Sequence, residues 1–401
     1  MSVLDVSVLR RGHMRIAIVT ETFYPATDGI CTRLANFVVG LRDLGHQVIV
    51  ISPDLGIKDY QGIPVYTIDS INLPLYGTRK WGKPSRQVKG ILQAFKPDVI
   101  HAVNPISLAV AGIYYGNQLG IPVMASYHTH LPEYLDHYRL GLLKPALWDY
   151  IRYWHQQVDL NITVSEALKL ELENQNIPVK GVIPRGISID QRDPKFFDES
   201  LYKQLTFNEL GNKLLVYVGR LAAEKDLHHL RRIFDYRDDI CLAFVGDGPQ
   251  REELEAIFRG TKTTFLGFKR GEDLAKCFAT GDAFIFPSTS ETFGLVISEA
   301  MASGQAVIAA ASQPTLEQIE PFVTGLVYES GNTAQMMKMI NYLDDRDMMD
   351  KLGHQARLEA EQYTWDKATQ RLLGFYQETM DISCHKESHP GRIKLLENIL
   401  S

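Results

Sequence analysis

The sequence predicts an α/β chain built as two doubly wound domains, each a parallel sheet covered by helices. Three observations predict it. Short β-branched runs alternate with segments of helical period. The runs are nearly continuous in apolar residues, as strands buried on both faces are. The series also stops at one polar stretch and then begins again. A chain of 401 residues that is 45% hydrophobic is too large for one core and suits two or three domains.

Taken in order, "RIAIVT" (15–20) is the first strand. It precedes "ICTRLANFVVGLRDLG", where Leu34, Phe37, Val38 and Leu41 share one stripe of a helix. "QVIVIS", "IPVYTI", "DVIHAV", "IPVMAS" and "LNITV" continue the series, most of them separated by helical patterns. Residues 186–213 are polar and carry no strand signal, so they are read as the join. After them come "LLVYVG", "CLAFVG", "TTFLG", "AFIFP", "AVIAA" and "GLVY". The expected domains are 14–190 and 212–364, with a helix over 365–382 closing the compact part and crossing back to the first domain. The tail from Ser383 is weakly amphipathic, and reads as loose or as an interaction segment. No internal repeat or low-complexity tract is visible. Ligands of doubly wound sheets bind beyond the carboxyl ends of strands, so the cleft between the domains is the expected site.

Bulk numbers exclude several classes. The net charge is −6, divided as +2 over residues 1–190 (18 Lys+Arg against 16 Asp+Glu) and −8 over 191–401 (24 against 32). That balance argues against a nucleic-acid partner. Cys31, Cys241, Cys277 and Cys384 are far apart and form no metal or disulfide pattern, which fits reduced thiols in a cytoplasmic protein. No apolar run is long enough to span a bilayer, and the first 13 residues do not read as a secretory signal. If the protein meets a membrane, it does so peripherally.

Five features fall at the ends of predicted strands. In "GRLAAEK", Arg220 and Lys225 offer two cations beside a helix start, suited to a diphosphate or else plain surface charge. "VGDGP" lets a ligand approach Gly246 and Gly248, although alone it is a common strand-to-helix turn. In "ETFGLVISE", the helix start would leave the amides of Phe293, Gly294 and Leu295 open to phosphate oxygens. Glu291 precedes that helix and Glu299 lies roughly 7–8 Å along it, an offset that lets one acid reach a sugar ring and the other a ribose. No neighbouring histidine or third acid supports a metal there, and two acids on one helix start do not face each other across a glycosidic bond. "TDGI" places Gly29 at the turn after the first strand, but the stretch is not G-x-G-x-x-G. "SYHTH" holds His128 and His130 without a visible third ligand, so His128 is read as a hydrogen-bonding histidine rather than a metal ligand. "DDRD" (344–347) sits between two helical patterns and is read as solvated charge.

Together these residues resemble the retaining glycosyltransferases of family four, whose GT-B fold has two Rossmann-like domains. The likeness spans about residues 14–380 and rests on Glu291 and Glu299, the Arg220/Lys225 pair and "FPSTSETFGLVISEAMASG". Within the family, "TETFYPATDGICTRL", "HAVNPISLAVAGIYY" and "ASYHTHLPEYLDHYRLGLLKPALWDYIR" look most like sulfoquinovosyl transferases acting on diacylglycerol. The resemblance implies that Arg220 and Lys225 neutralise the departing diphosphate of a nucleotide sugar, here a UDP-sugar, while Phe293, Gly294 and Leu295 give it amides. Glu299 would hold the ribose, Glu291 the donor sugar, His128 would lie beside the reacting carbon, Gly29 would line the phosphate side of the first domain, and Gly246 would contact substrate. It implies no catalytic metal and no other cofactor, with same-face attack assisted by the leaving phosphate. Other readings stay open: another hexose passed to a soluble or glycolipid acceptor, or a nucleotide-sugar epimerase. Ser312 and Gln313 in "ASQPTLEQI" depart from the usual glycines, and "RGIS" (185–188) from the usual Asn-Gly-Val-Asp turn.

The acceptor is expected in the first domain. Residues 79–89, "RKWGKPSRQVK", hold five cations and no acid around Trp81, with Leu73 and Leu75 just before. Such a segment suits anionic lipid headgroups or is a solvated loop. "YRLGLLKPALWDYIRYW" adds apolar and basic residues, or is a core-facing helix.

Overall fold

The computed structural model describes residues 12–26, 28–72, 80–129, 132 and 141–385. It divides into two units, one taking the chain up to Pro184 together with Trp365 onward, the other Arg185–Thr364.

In the first unit the strands are β1 (Arg15–Thr20), β2 (Gln47–Pro53), β3 (Asp59–Tyr60), β4 (Ile63–Ile68), β5 (Ser70–Asn72), β6 (Lys80–Gly82), β7 (Val99–Val103), β8 (Val123–Tyr127), β9 (Leu160–Thr163) and β10 (Gly181–Val182). Eight of them form a sheet in the order β10-β9-β8-β7-β1-β2-β4-β3, parallel except for β3, while β5 and β6 pair separately as a hairpin. Every residue of β7 and β8 is buried, the burial expected of central parallel strands. The helix Gly29–Asp43 starts at Asp28, whose carboxylate accepts from the Cys31 amide at 2.8 Å. Its stripe Leu34, Phe37, Val38 and Leu41 is buried as the spacing predicts. Helix Trp365–His385 sets Ala368, Leu372, Phe375 and Tyr376 in the same core, with the Trp365 ring against Phe37.

In the second unit β11 (Lys213–Val218), β12 (Ile240–Val245), β13 (Thr263–Gly267), β14 (Ala283–Phe286), β15 (Val307–Ala310) and β16 (Gly325–Tyr328) form an all-parallel sheet in the order β13-β12-β11-β14-β15-β16. The two doubly wound sheets expected from the sequence are thus present, and each of the twelve apolar runs is a strand. The short β3, β5, β6 and β10 were not legible, because two or three residues carry no period.

The polar stretch 186–213 is more than a join. Its residues belong to the second unit, where Ile187 and Leu205 enter the core. Asp198 caps the helix Glu199–Leu205. Arg185 stacks on the Tyr363 ring at 3.7 Å and pairs with Glu359 at 3.1 Å, while the Ile187 amide donates to the Tyr363 carbonyl at 3.1 Å. The leading part of the first unit ends at Pro184.

Candidate active site

In the second unit the strand order reverses between β11 and β14, so their carboxyl ends diverge and leave a crevice. The segment Gly219–Lys225 leaves β11 there, and residues 287–294 leave β14. Gly246 has φ +134°, and a Cβ on it would lie 1.9 Å from the Gly219 carbonyl oxygen. One on Gly248 would lie 2.2 Å from that of Leu221. Close packing of the neighbouring backbone by itself therefore requires glycine at both positions.

Lys225 ends a short 3-10 helix, Ala223–Lys225. Its ammonium is ion-paired with the Glu291 carboxylate, both side chains mostly buried. Arg220 differs. Its side chain is 61% exposed and stands 3.9 Å from Glu224, which makes Lys225 the fixed cation of the two. Ser290 donates to the Glu224 carbonyl at 2.6 Å, and Ser288 to the same oxygen at 3.3 Å. These bonds tie the strand-end loop of β14 to that of β11.

The helix Leu295–Ala302 begins at Gly294, in the left-handed region with φ +77° and no side-chain cap. Its first amides, at Gly294 and Leu295, have no carbonyl one turn earlier to donate to. Gln318 fixes this corner: its amide group donates to the Phe293 carbonyl and its oxygen accepts from Ser298 at 2.5 Å. Phe293 itself is buried. Glu299, on the same helix, accepts from Arg192 at 2.8 Å. Arg357 donates to the Arg192 and Ala302 carbonyls, anchoring that arginine's segment to the helix.

In the first unit the order reverses between β1 and β7. Glu21, just past β1, is buried and accepts from the amides of Gly82 (3.1 Å), Ser107 (3.2 Å), Leu108 and Ala109 (3.3 Å). Three of these donors open the helix Leu108–Leu119. Burial raises the Glu21 carboxyl to about 7, against the amide bonds that lower it. Gly29 is the exposed first residue of its helix. His128 is buried just past β8, with its amide donating to Asn104 at 3.2 Å and Nε2 2.8 Å from Ser126 Oγ. Burial holds its imidazole well below the ordinary 6.5, with Arg33 and His101 adding to the shift. His130 lies outside the described residues.

Two family models match the chain. "Glycosyl transferases group 1" covers residues 199–359, and "Glycosyltransferase Family 4" covers 27–191. The sulfoquinovosyl transferase SQD2 of Arabidopsis thaliana is 31% identical over 368 residues, 89% of this chain and 72% of that protein. This chain belongs to glycosyltransferase family four. This glycosyltransferase is a GT-B hexosyltransferase. A GDP-mannose-dependent alpha-mannosyltransferase of Mycolicibacterium smegmatis is 30% identical, over 92% of this chain and 98% of its own. An alpha-monoglucosyldiacylglycerol synthase of Streptococcus pneumoniae is 28% identical, over 74% and 71%. Among solved structures, Anabaena HepE in complex with UDP and glucose superposes with TM-score 0.72 at 20% identity, over 91% of this glycosyltransferase and all of HepE, a likeness of fold.

Sequence reasoning about the glycosyltransferase passed over Glu21, Arg192, Gln318 and Tyr376. The strand-end position of Glu21 in "VTETF" was a usable signal. The other three lie far in sequence from what they touch. In "DDRD", Asp345 caps the helix Arg346–Ala360 by accepting from Met348 at 3.1 Å, and Asp344 pairs with Arg237 at 2.9 Å. Trp81, expected on the headgroup-facing segment, is buried in the first unit. Leu73, Leu75 and Arg79 are outside the described residues. In the helix Lys144–His155, Trp148, Ile151 and Trp154 are buried, yet Leu142 and Leu143 just before it are exposed, Leu142 by 98%. Among the described residues, no three His, Cys, Asp or Glu side chains group so as to hold a metal ion, and no helix is long and apolar enough to cross a membrane.

Proposed function

We propose that this enzyme transfers a hexose, with retention, from a UDP-sugar to a lipid acceptor, UDP-sulfoquinovose and diacylglycerol being the leading pair. The observation that carries the donor half is the Lys225–Glu291 ion pair beside an uncapped helix start at the switch point of the second sheet. An arriving diphosphate draws Lys225 toward itself, and Glu291, released, accepts the donor sugar's hydroxyls. Arg220 adds a second cation from the surface, and the Gly294 and Leu295 amides with that of Phe293 hold phosphate oxygens. Glu299 keeps one carboxylate oxygen on Arg192 and offers the other to the ribose. Charge gathers on the leaving phosphate as the glycosidic bond breaks, so fixed donors aimed there lower the barrier. In the first unit His128 serves as a neutral donor to sugar hydroxyls and Gly29 as part of the wall near the phosphates. The described chemistry calls for no metal or other cofactor.

The lipid half is supported by the exposed Leu142 and Leu143 and by two relatives named for lipid products or sulfoquinovosyl transfer. Docking would be peripheral, from the cytoplasmic side. A second reading, another hexose to a soluble acceptor or glycolipid, is favoured by the GDP-mannose-dependent relatives. A thermal-shift panel of nucleotide sugars separates the donors, since a ligand at about 100 times its Kd adds about 2.7 kcal/mol. Flotation with anionic vesicles then separates the acceptors. A shift with GDP-mannose alone, or turnover of soluble acceptors without vesicle binding, sinks the first reading.

A further inference from the structure

Behind His128 runs a line of buried polar groups within the first unit. Tyr376 Oη lies 2.9 Å from His101 Nδ1, His101 Nε2 lies 2.7 Å from Ser126 Oγ, and Ser126 Oγ lies 2.8 Å from His128 Nε2. Tyr376 and Ser126 are fully buried, and His101 nearly so. Among the described residues these hydroxyls have no other side-chain partner.

The chain has few consistent proton arrangements. Burial pushes the His101 imidazole down to about 3, so both rings are neutral and each carries one N–H. If His101 held its proton on Nδ1, it would donate to Tyr376, and the tyrosine proton would be left buried without an acceptor. If both histidines donated to Ser126, the serine proton would be orphaned in the same way. Each orphan costs about 1–3 kcal/mol. One arrangement leaves none: Tyr376 donates to His101 Nδ1, His101 Nε2–H to Ser126, and Ser126 to His128 Nε2. His128 then carries its proton on Nδ1, which has no partner among the described residues. Arg33, the charged neighbour of His128, is a donor only and cannot take that proton.

We propose that Tyr376, His101 and Ser126 are positioning residues that lock His128 as the Nδ1–H tautomer and so present a hydrogen-bond donor at the end of β8. The lock depends on the geometry of this unit alone; its use on a sugar hydroxyl rests on the function proposed above.

Long-range proton–nitrogen correlation spectra of the histidine side chains, recorded on the unliganded full-length protein, test the lock directly. His128→Gln identifies the signal. Wild type should show a neutral His128 protonated on Nδ1. Protonation on Nε2, or an imidazolium at neutral pH, overturns the proposal. In Tyr376→Phe the His101 and His128 patterns should become mixtures, and kcat/KM should fall about 3- to 10-fold, the scale of one neutral hydrogen bond. In Ser126→Ala the His128 pattern should change while His101 keeps its own. Unaltered His128 signals in both variants reject the positioning role. Altered signals with an unaltered rate leave the lock standing and reject the use of Nδ1–H on substrate, so the two failures are distinct.

Discussion

The strand-end clusters of the two units are built from opposite materials. In the first unit, His101, Ser126, His128 and Tyr376 are neutral, buried and joined by single hydrogen bonds. In the second, Lys225 with Glu291 and Arg192 with Glu299 are opposite charges, partly open to solvent. A neutral chain in a dry interior has one satisfied arrangement and is rigid. An ion pair at a crevice can exchange partners, because an incoming anion satisfies the cation as well as the carboxylate did. One cluster therefore suits orientation of a fixed donor, and the other suits capture of a charged group.

The largest expected effect breaks the second cluster. Lys225→Ala should lower turnover by about 10²–10³, the scale of one lost donor to a developing negative charge, measured as nucleotide release with acceptor present. An unchanged rate removes Lys225 from the chemistry.

Acid sharpens the comparison from the other side. His101 and His155 titrate near 6.5 unfolded but at about 3 and about 4 folded, both held down first by burial. The unfolded chain thus binds more protons, and their stability contribution, intact above pH 6.5, is lost as pH falls toward the folded values. Glu21 acts the opposite way. Burial lifts it from 4.5 to about 7, so its cost is present above 7 and relieved on acidification toward 4.5. Near pH 5 His101 and His155 each remove about 2 kcal/mol and Glu21 returns about 2, a loss of about 2 kcal/mol from these three groups. His128, also held low by burial, acts in the same direction. All four tryptophans, Trp81, Trp148, Trp154 and Trp365, lie in the first unit, so denaturation followed by their emission reads that unit. The midpoint should fall between about pH 7.5 and about pH 5; a flat profile would contradict neutral buried histidines.

The smallest effect concerns the charge that stands apart from both clusters. Asp345→Ala should cost about 1 kcal/mol of stability through the lost helix cap and leave turnover as it was. A loss of activity at full stability would show that "DDRD" is more than solvated charge.

Much of the molecule was legible because its signals are local. Twelve apolar runs mark strands, since a parallel strand buried on both faces has no polar position to hide it. Lys225, Glu291, Gly294 and Glu299 were singled out from their place after strands, and the fold places them on the loops after β11 and β14 and on one helix start. Gly246 shows what such a reading leaves open. A glycine that admits a ligand and one that admits a neighbouring backbone look identical in sequence, and only the Gly219 carbonyl tells them apart.

By itself, then, the sequence determined the two doubly wound sheets, the family and the residue types at the strand ends. These depend on period, spacing and composition within a few dozen residues. Tertiary structure alone decided which charges are already paired, that Arg192 takes Glu299, and that Tyr376 reaches His101 across 275 positions. It also decided that residues 185–213 join the second core. The physical reason is that an unpaired buried group is costly whatever its distance along the chain. Its partner is chosen by where the sheets and helices bring side chains in space, and no periodicity records that choice.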